Sequence, residues 1–427
     1  MVHVSRTSLS LALLSVALAA PGIGVSPDTQ RPHSQQDPTC WVGTWAASPQ
    51  LTEEANLPPA PGFADTTLRQ IVRVSIGAET LRVRFSNAFG RTRLTLLSVR
   101  VARAAGASAI QATSERAVTF GGRPTATIPE GALIVSDPLD FDMPPLSDIA
   151  VTVHVRGAPI EVTGHPGSRT TSYLQAGDAV SERELPAATR VDHWYFLSGV
   201  DVLAGSRAAA VAILGDSITD GRGSTTNGND RWPDNLARRL LAGKPRAEIA
   251  VLNHGIGGNR LLRDGLGPNA LARLDRDVLA QPGVRFMIVL EGINDIGTRV
   301  SARTKGESAA TADEMIDAYK QIIARARAHG IRVYGGTLLP FEGAAYFTPD
   351  GEADRQKLND WIRTGGGFDG VIDFDAATRD PARPSQLSPA VDGGDHLHPS
   401  AAGYKIMADM IELSLFEDQG KEASCES

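Results

Sequence analysis

The apolar and polar positions of the chain change rhythm once. From residue 68 to residue 155 they mostly alternate, the period of strands with one buried face. Residues 80–86 are the clearest case, with Leu81, Val83 and Phe85 on one side and Arg82 and Arg84 on the other. Residues 68–75, 94–102, 132–135 and 149–155 repeat the pattern, and Asn87, Gly90, Gly106 and Gly157 mark turns. Long helical periodicity is missing from 40–206, so this stretch is expected to form a β-rich, sandwich-like domain.

After Gly205 the rhythm is different. Residues 208–214 are a continuous apolar run, as in a strand covered on both faces. Apolar strands at 247–253, 286–290, 333–338 and 371–374 then alternate with helical stretches at 233–241, 270–280, 311–328, 353–363 and 400–416. Gly330 stops the helix over 311–328. Alternation of this kind predicts an α/β domain over 207–427, a doubly wound parallel sheet in a three-layer αβα arrangement.

The first residues follow neither rhythm. Arg6 precedes an apolar run at 9–20 that is too short to span a bilayer comfortably, and Ala17-Leu18-Ala19 offers small residues for cleavage. Residues 1–20 therefore read as a signal peptide, and 21–39, rich in Pro, Ser and Gln, as a disordered linker. The expectation is a secreted protein, extracellular or periplasmic, without stable membrane insertion. In that oxidising setting Cys40 and Cys425, near the two ends of the folded part, are candidates for a disulfide, with two free thiols as the alternative. The 427 residues suit two domains, 42% hydrophobic content suffices for their cores, and a net charge of −7 argues against nucleic acid as a partner.

Candidate chemistry falls at the strand ends. Gly215-Asp216-Ser217 follows the first strand, Gly255-Ile256-Gly257-Gly258-Asn259 the second, Gly292-Ile293-Asn294-Asp295 the third, and Asp395-His396-Leu397-His398 precedes the last helix. In open parallel sheets, sites form outside the carboxyl ends of the strands. There a serine hydroxyl needs a base, which His398 can be, and the base needs an orienting carboxylate, which Asp395 can supply. An oxyanion would need donors: the Gly258 amide, the Asn294 side chain and the Ser217 amide are candidates, with Gly255 or Gly257 as alternatives to Gly258. Taken alone, Ser217 could equally be a helix N-cap.

These blocks resemble those of the SGNH (GDSL) hydrolases. The serine block reads Ile213-Leu214-Gly215-Asp216-Ser217-Ile218-Thr219, with Ile218 where the family name records Leu. The glycine block is Asn253-His254-Gly255-Ile256-Gly257-Gly258-Asn259-Arg260, and the last block is Asp395-x-x-His398-Pro399. The resemblance covers roughly residues 208–416 and implies a flavodoxin-like SGNH hydrolase domain. It also implies Ser217 as nucleophile, His398 as base and Asp395 as its orienter, with Ser217, Gly258 and Asn294 in the oxyanion hole and no cofactor or metal. The implied activity is that of a carboxylic ester hydrolase, working on short-chain esters of acetylated carbohydrate or on lipid. A lipase or acyltransferase with the same triad, or a non-catalytic carbohydrate-binding protein, are the alternatives.

Other residues admit two readings. Asp392, Asp395, His396 and His398 could together suit a metal, though neither an HExxH pattern nor paired cysteines accompany them. Trp45 and Trp194-Tyr195 are either core or a sugar-stacking platform. Arg222, Asn259 and Arg260 follow the blocks and are candidates for substrate contact, and His254 for the pocket or for structure.

Overall fold

The computed structural model describes residues 39–157, 159–243, 248–306, 308–365 and 367–417. The expected signal peptide, all but the last residue of the expected linker, and Cys425 lie outside them, and with Cys425 the expected disulfide. Residues 39–417 lie within one compact unit.

The alternating segments pair antiparallel. Among the described residues one sheet runs Thr39–Ala46, Leu197–Gly205, Ala78–Ser86 and Leu133–Val135, with Leu139–Met143 also on Ala78–Ser86. A second runs Thr189–Val191, Ser172–Ala176, Thr66–Arg73, Asp148–Val155, Leu94–Arg103 and Arg116–Val118, with Ala126–Ile128 on Leu94–Arg103. Leu81, Val83 and Phe85 of the first sheet share one core with Leu68, Val99, Val101, Val151 and Val153 of the second. Burial of these alternate positions is what holds the sandwich-like pair together.

The opposite face of the first sheet is also covered. Arg82 and Arg84 both pair with Asp201, whose side chain is fully buried, and Arg84 reaches Gln281 Oε1 at 2.7 Å in the following region. Gly43, paired with Asp201 in the sheet register, lies against Leu252, which clusters with Ala210 and Ala250. Part of the parallel sheet is thus covered by a β-sheet where the alternation alone predicts a layer of helices.

Beyond Gly205 the main sheet is parallel, beside a small antiparallel pair, Arg379–Asp380 with Arg383–Leu387. β1 (Ala209–Gly215), β2 (Ile249–Gly255), β3 (Val284–Leu290), β4 (Arg332–Gly336) and β5 (Gly370–Ile372) form a sheet in the order β2-β1-β3-β4-β5. Every residue of β1 is buried, as a central strand with two covered faces requires. The chain moves one way from β1 to β2 and the other way from β3 onward.

The helices include α1 (Ser217–Asp220), α2 (Trp232–Gly243), α3 (Ala270–Leu274), α4 (Ile293–Gly297), α5 (Ala312–Ala328), α6 (Pro349–Thr364) and α7 (Ala401–Met410). α5 starts at a capping box in which Thr311 and Glu314 satisfy each other's backbone N–H groups. The helix expected over 270–280 is α3 followed by a π-helical turn, Asp275–Leu279. The one expected over 400–416 ends at Met410 before a short 3-10 turn, Leu413–Phe416. Short helices such as α1 and α4 are too brief to show a period. Among the described residues no helix is long and apolar enough to cross a membrane.

Candidate active site

β1 ends at Gly215 and the chain turns at once into α1. Asp216 makes the turn by accepting the Ile218 N–H on Oδ1 at 2.9 Å. Ser217 thereby occupies the first helical position, where its own N–H has no intrahelical acceptor. β2 closes in from the side, where a Cβ on Gly255 would collide with the backbone of Asp220, so glycine is required for the approach. Asn253 Nδ2 ties β2 to α1 by donating to Thr219 O at 2.8 Å.

The segment before α7 brings the imidazole. Asp395 Oδ1 accepts the N–H groups of Leu397 at 3.1 Å and His398 at 2.8 Å, which shapes the loop. Its Oδ2 lies 2.7 Å from His398 Nδ1, and His398 Nε2 lies 2.7 Å from Ser217 Oγ. Partial burial works against ionising Asp395, but the backbone and ring donors of His398 outweigh it and hold the carboxyl below its ordinary range. An ionised carboxylate can only accept, so Nδ1 carries the ring proton and Nε2 receives the Ser217 hydroxyl. Burial pushes the His398 pKa down; Asp395 opposes this, and Arg222 and Arg169 add to it. The ring is therefore a neutral base near pH 7.

Gly258 and Asn294 form a second group. Gly258 adopts φ +71°, a left-handed conformation suited to glycine. Asn294 lies on α4 and donates from Nδ2 to Asn259 O at 2.9 Å, one residue from Gly258, while Tyr346 OH lies 3.4 Å from its Oδ1. Asp295 braces the same loop by accepting Leu261 N–H at 2.8 Å and Leu262 N–H at 3.2 Å. Of the alternative glycines, Gly255 gives its N–H to Asn253 Oδ1 at 2.9 Å and is thereby engaged. Burial raises three carboxyls under this edge, Asp216 to about 7, Asp295 to about 6 and Glu291 well above its ordinary range.

The remaining candidates separate clearly. His396 Nδ1 pairs with Asp392 Oδ2 at 2.6 Å, so the two histidines of the last block hold different carboxylates. His254 is buried with Nδ1 3.1 Å from Ser48 Oγ, and burial pushes its pKa down to about 3. Trp45, Trp194 and Tyr195 are core residues, Trp45 meeting Trp194 edge to face at 4.9 Å. Arg222 is exposed and lies 4.0 Å from Asp395 Oδ2. Arg260 bonds Asp264 O within its own loop.

Four neighbours of the site had no signal in the sequence. His165 Nε2 lies 2.9 Å from Asp220 Oδ1 and its Nδ1 3.0 Å from Ser48 O, tying α1 to the β-rich region. Ser48, Tyr346 and Arg273 complete the group. None belongs to a local motif, and all depend on distant parts of the chain meeting.

A serine, a histidine and an aspartate in one hydrogen-bonded series, at the carboxyl edge of a parallel sheet, define a serine hydrolase type of site. Residues 213–406 match the GDSL-like Lipase/Acylhydrolase family. Similar solved structures include an acetyl xylan esterase from Geobacillus stearothermophilus, at 23% identity over 48% of this chain and 93% of that one, TM-score 0.37. An aryl esterase from M. smegmatis is 16% identical over 47% of this chain and 95% of its own, TM-score 0.37. A GDSL-like lipase from Bacteroides thetaiotaomicron is 20% identical over 48% and 85%, TM-score 0.35. Among curated proteins none matches the chain.

Proposed function

We propose that the chain is a secreted serine esterase that hydrolyses short-chain carboxylic esters through an acyl-enzyme, with carbohydrate O-acetyl groups as its substrate class. The observation that carries the chemistry is the unbroken series Ser217 Oγ, His398 Nε2, His398 Nδ1, Asp395 Oδ2, each contact 2.7 Å. The export assignment rests on the pattern of residues 1–20.

In this reading Ser217 Oγ attacks the ester carbonyl carbon and His398 Nε2 takes its proton. Asp395 stabilises the imidazolium that results. The carbonyl oxygen becomes an oxyanion, held by the Ser217 and Gly258 amides and by the second amide proton of Asn294. The C–O bond to the alcohol breaks as His398 returns the proton to the leaving oxygen. Water then attacks the acyl-Ser217 ester while His398 takes its proton, and the acid leaves as Ser217 regains its hydrogen.

The test is hydrolysis of p-nitrophenyl esters of increasing acyl length by the wild type and by Ser217→Ala. Expected are turnover of acetate and butyrate above palmitate, and a loss of about 10,000-fold or more in Ser217→Ala. The acid limb of kcat/KM should fall below the ordinary imidazole value of 6.5, in the direction of the His398 shift. Turnover that survives in Ser217→Ala would sink the proposal.

A further inference from the structure

Arg273 is a fully buried arginine on α3, and its donors reach the ends of three adjacent strands. Nη2 donates to Gly215 O at 2.9 Å, the last residue of β1 and two positions before Ser217. Nη1 donates to His254 O at 2.7 Å in β2, and Nε donates to Asn259 Oδ1 at 2.9 Å, next to Gly258. Nη2 also reaches Glu291 Oε1 at 3.2 Å, directly after β3 and three positions before Asn294. Nη1 meets Asp277 Oδ2 and Ser48 Oγ, each at 3.1 Å, the former on the π-helical turn and the latter in the β-rich region. One planar fork is thereby bonded beside the serine, glycine and asparagine blocks at once. Asn259 extends the series, since its own carbonyl accepts the Asn294 amide.

We infer that Arg273 is a positioning residue that sets the spacing between Ser217, Gly258 and Asn294, with Ser48 of the β-rich region closing its hydrogen-bond shell. This rests on the esterase reading. The physical basis is geometric. Guanidinium carries five N–H groups in a rigid plane, and backbone carbonyls at fixed points of that plane cannot shift independently. An oxyanion site loses rate steeply when its donors move by an ångström, while binding of the substrate in the ground state changes little. Lysine at 273 keeps the charge facing Asp277 and Glu291, yet its single nitrogen cannot serve all three strand ends.

The experiment compares wild type, Arg273→Lys, Asn259→Ala and Ser217→Ala in full-length protein. It measures thermal unfolding, kcat and KM on p-nitrophenyl acetate, and the rate at which a fluorophosphonate probe labels Ser217. For folded Arg273→Lys, kcat should fall about 10- to 100-fold with KM within about twofold, and labelling should slow in step. Asn259→Ala removes one acceptor of the fork and should show a smaller loss of the same kind. If Arg273→Lys does not fold, Asn259→Ala decides by the same criterion. A folded variant with wild-type kcat, a kcat loss that only tracks the unfolded fraction, or an effect confined to KM overturns the positioning role. Wild-type turnover in Ser217→Ala overturns the esterase reading as well, whereas its loss beside wild-type kcat in Arg273→Lys overturns the positioning role alone.

Discussion

Each region of the molecule buries arginines, and two of them, Arg69 and Arg273, do different things. In the β-rich region Arg69 is fully buried with Nε on Thr152 Oγ1 at 2.9 Å, Nη1 on Ser108 O at 2.5 Å and Nη2 on Glu182 O at 2.7 Å. It staples surface loops to a strand, and its pKa is lowered first by burial. In the α/β region Arg273 holds strand ends and carboxylates beside Ser217. A buried arginine is therefore no mark of function by itself. Its acceptors decide, because a loop carbonyl anchors the fold while a strand-end carbonyl sets where the next residue's side chain lies.

The largest expected effect sharpens this contrast at the sheet edge. Asn294→Ala should lower kcat about 100- to 1,000-fold with little change in thermal stability, as loss of one oxyanion donor does. An equal fall in melting temperature and activity would instead make Asn294 a structural residue. Next comes Arg69→Ala, which leaves several buried carbonyls without a donor and should destabilise by about 3 kcal/mol, read from chemical denaturation. Its kcat per folded molecule should match the wild type, and a kcat loss there would erase the distinction between the two arginines.

The smallest effect concerns the seam between the regions. His254 stays neutral in the fold because burial lowers its pKa from 6.5 to about 3. Unfolding lets it take up a proton below about pH 6.5, so its contribution is complete above that pH and is lost as pH falls toward 3. The loss is on the order of 1 kcal/mol per pH unit. The raised carboxyls Asp216 and Asp295 act with the opposite sign and cancel when two variants are compared. Expected is a stability difference between wild type and His254→Gln that shifts in favour of the variant from pH 6.5 to pH 4. A constant difference would show that His254 titrates in the fold as in solution.

Much of this architecture was legible in the chain. β1 reads as a buried parallel strand because apolar side chains fill both of its faces, and the helix of α5 because its period and its Thr311–Glu314 cap are local. Asp395 and His398 were legible as a pair because three residues of chain bring them together. The strand Leu197–Gly205 was not anticipated, although it joins Thr39–Ala46 to Ala78–Ser86 at the centre of the first sheet. The alternation of Arg82 and Arg84 resembles a solvent-facing side, yet Asp201 and Gln281 cover it.

The sequence by itself determined the order of strands and helices and the residue types placed at each strand end, because backbone geometry imposes its period over a few residues. Tertiary structure decided which surfaces close on one another. The bond of Ser48 to Arg273 spans 225 positions and that of His165 to Asp220 spans 55. Such contacts have no local period, since they form only where two folded faces exclude water together and each buried polar group must find its partner on the other.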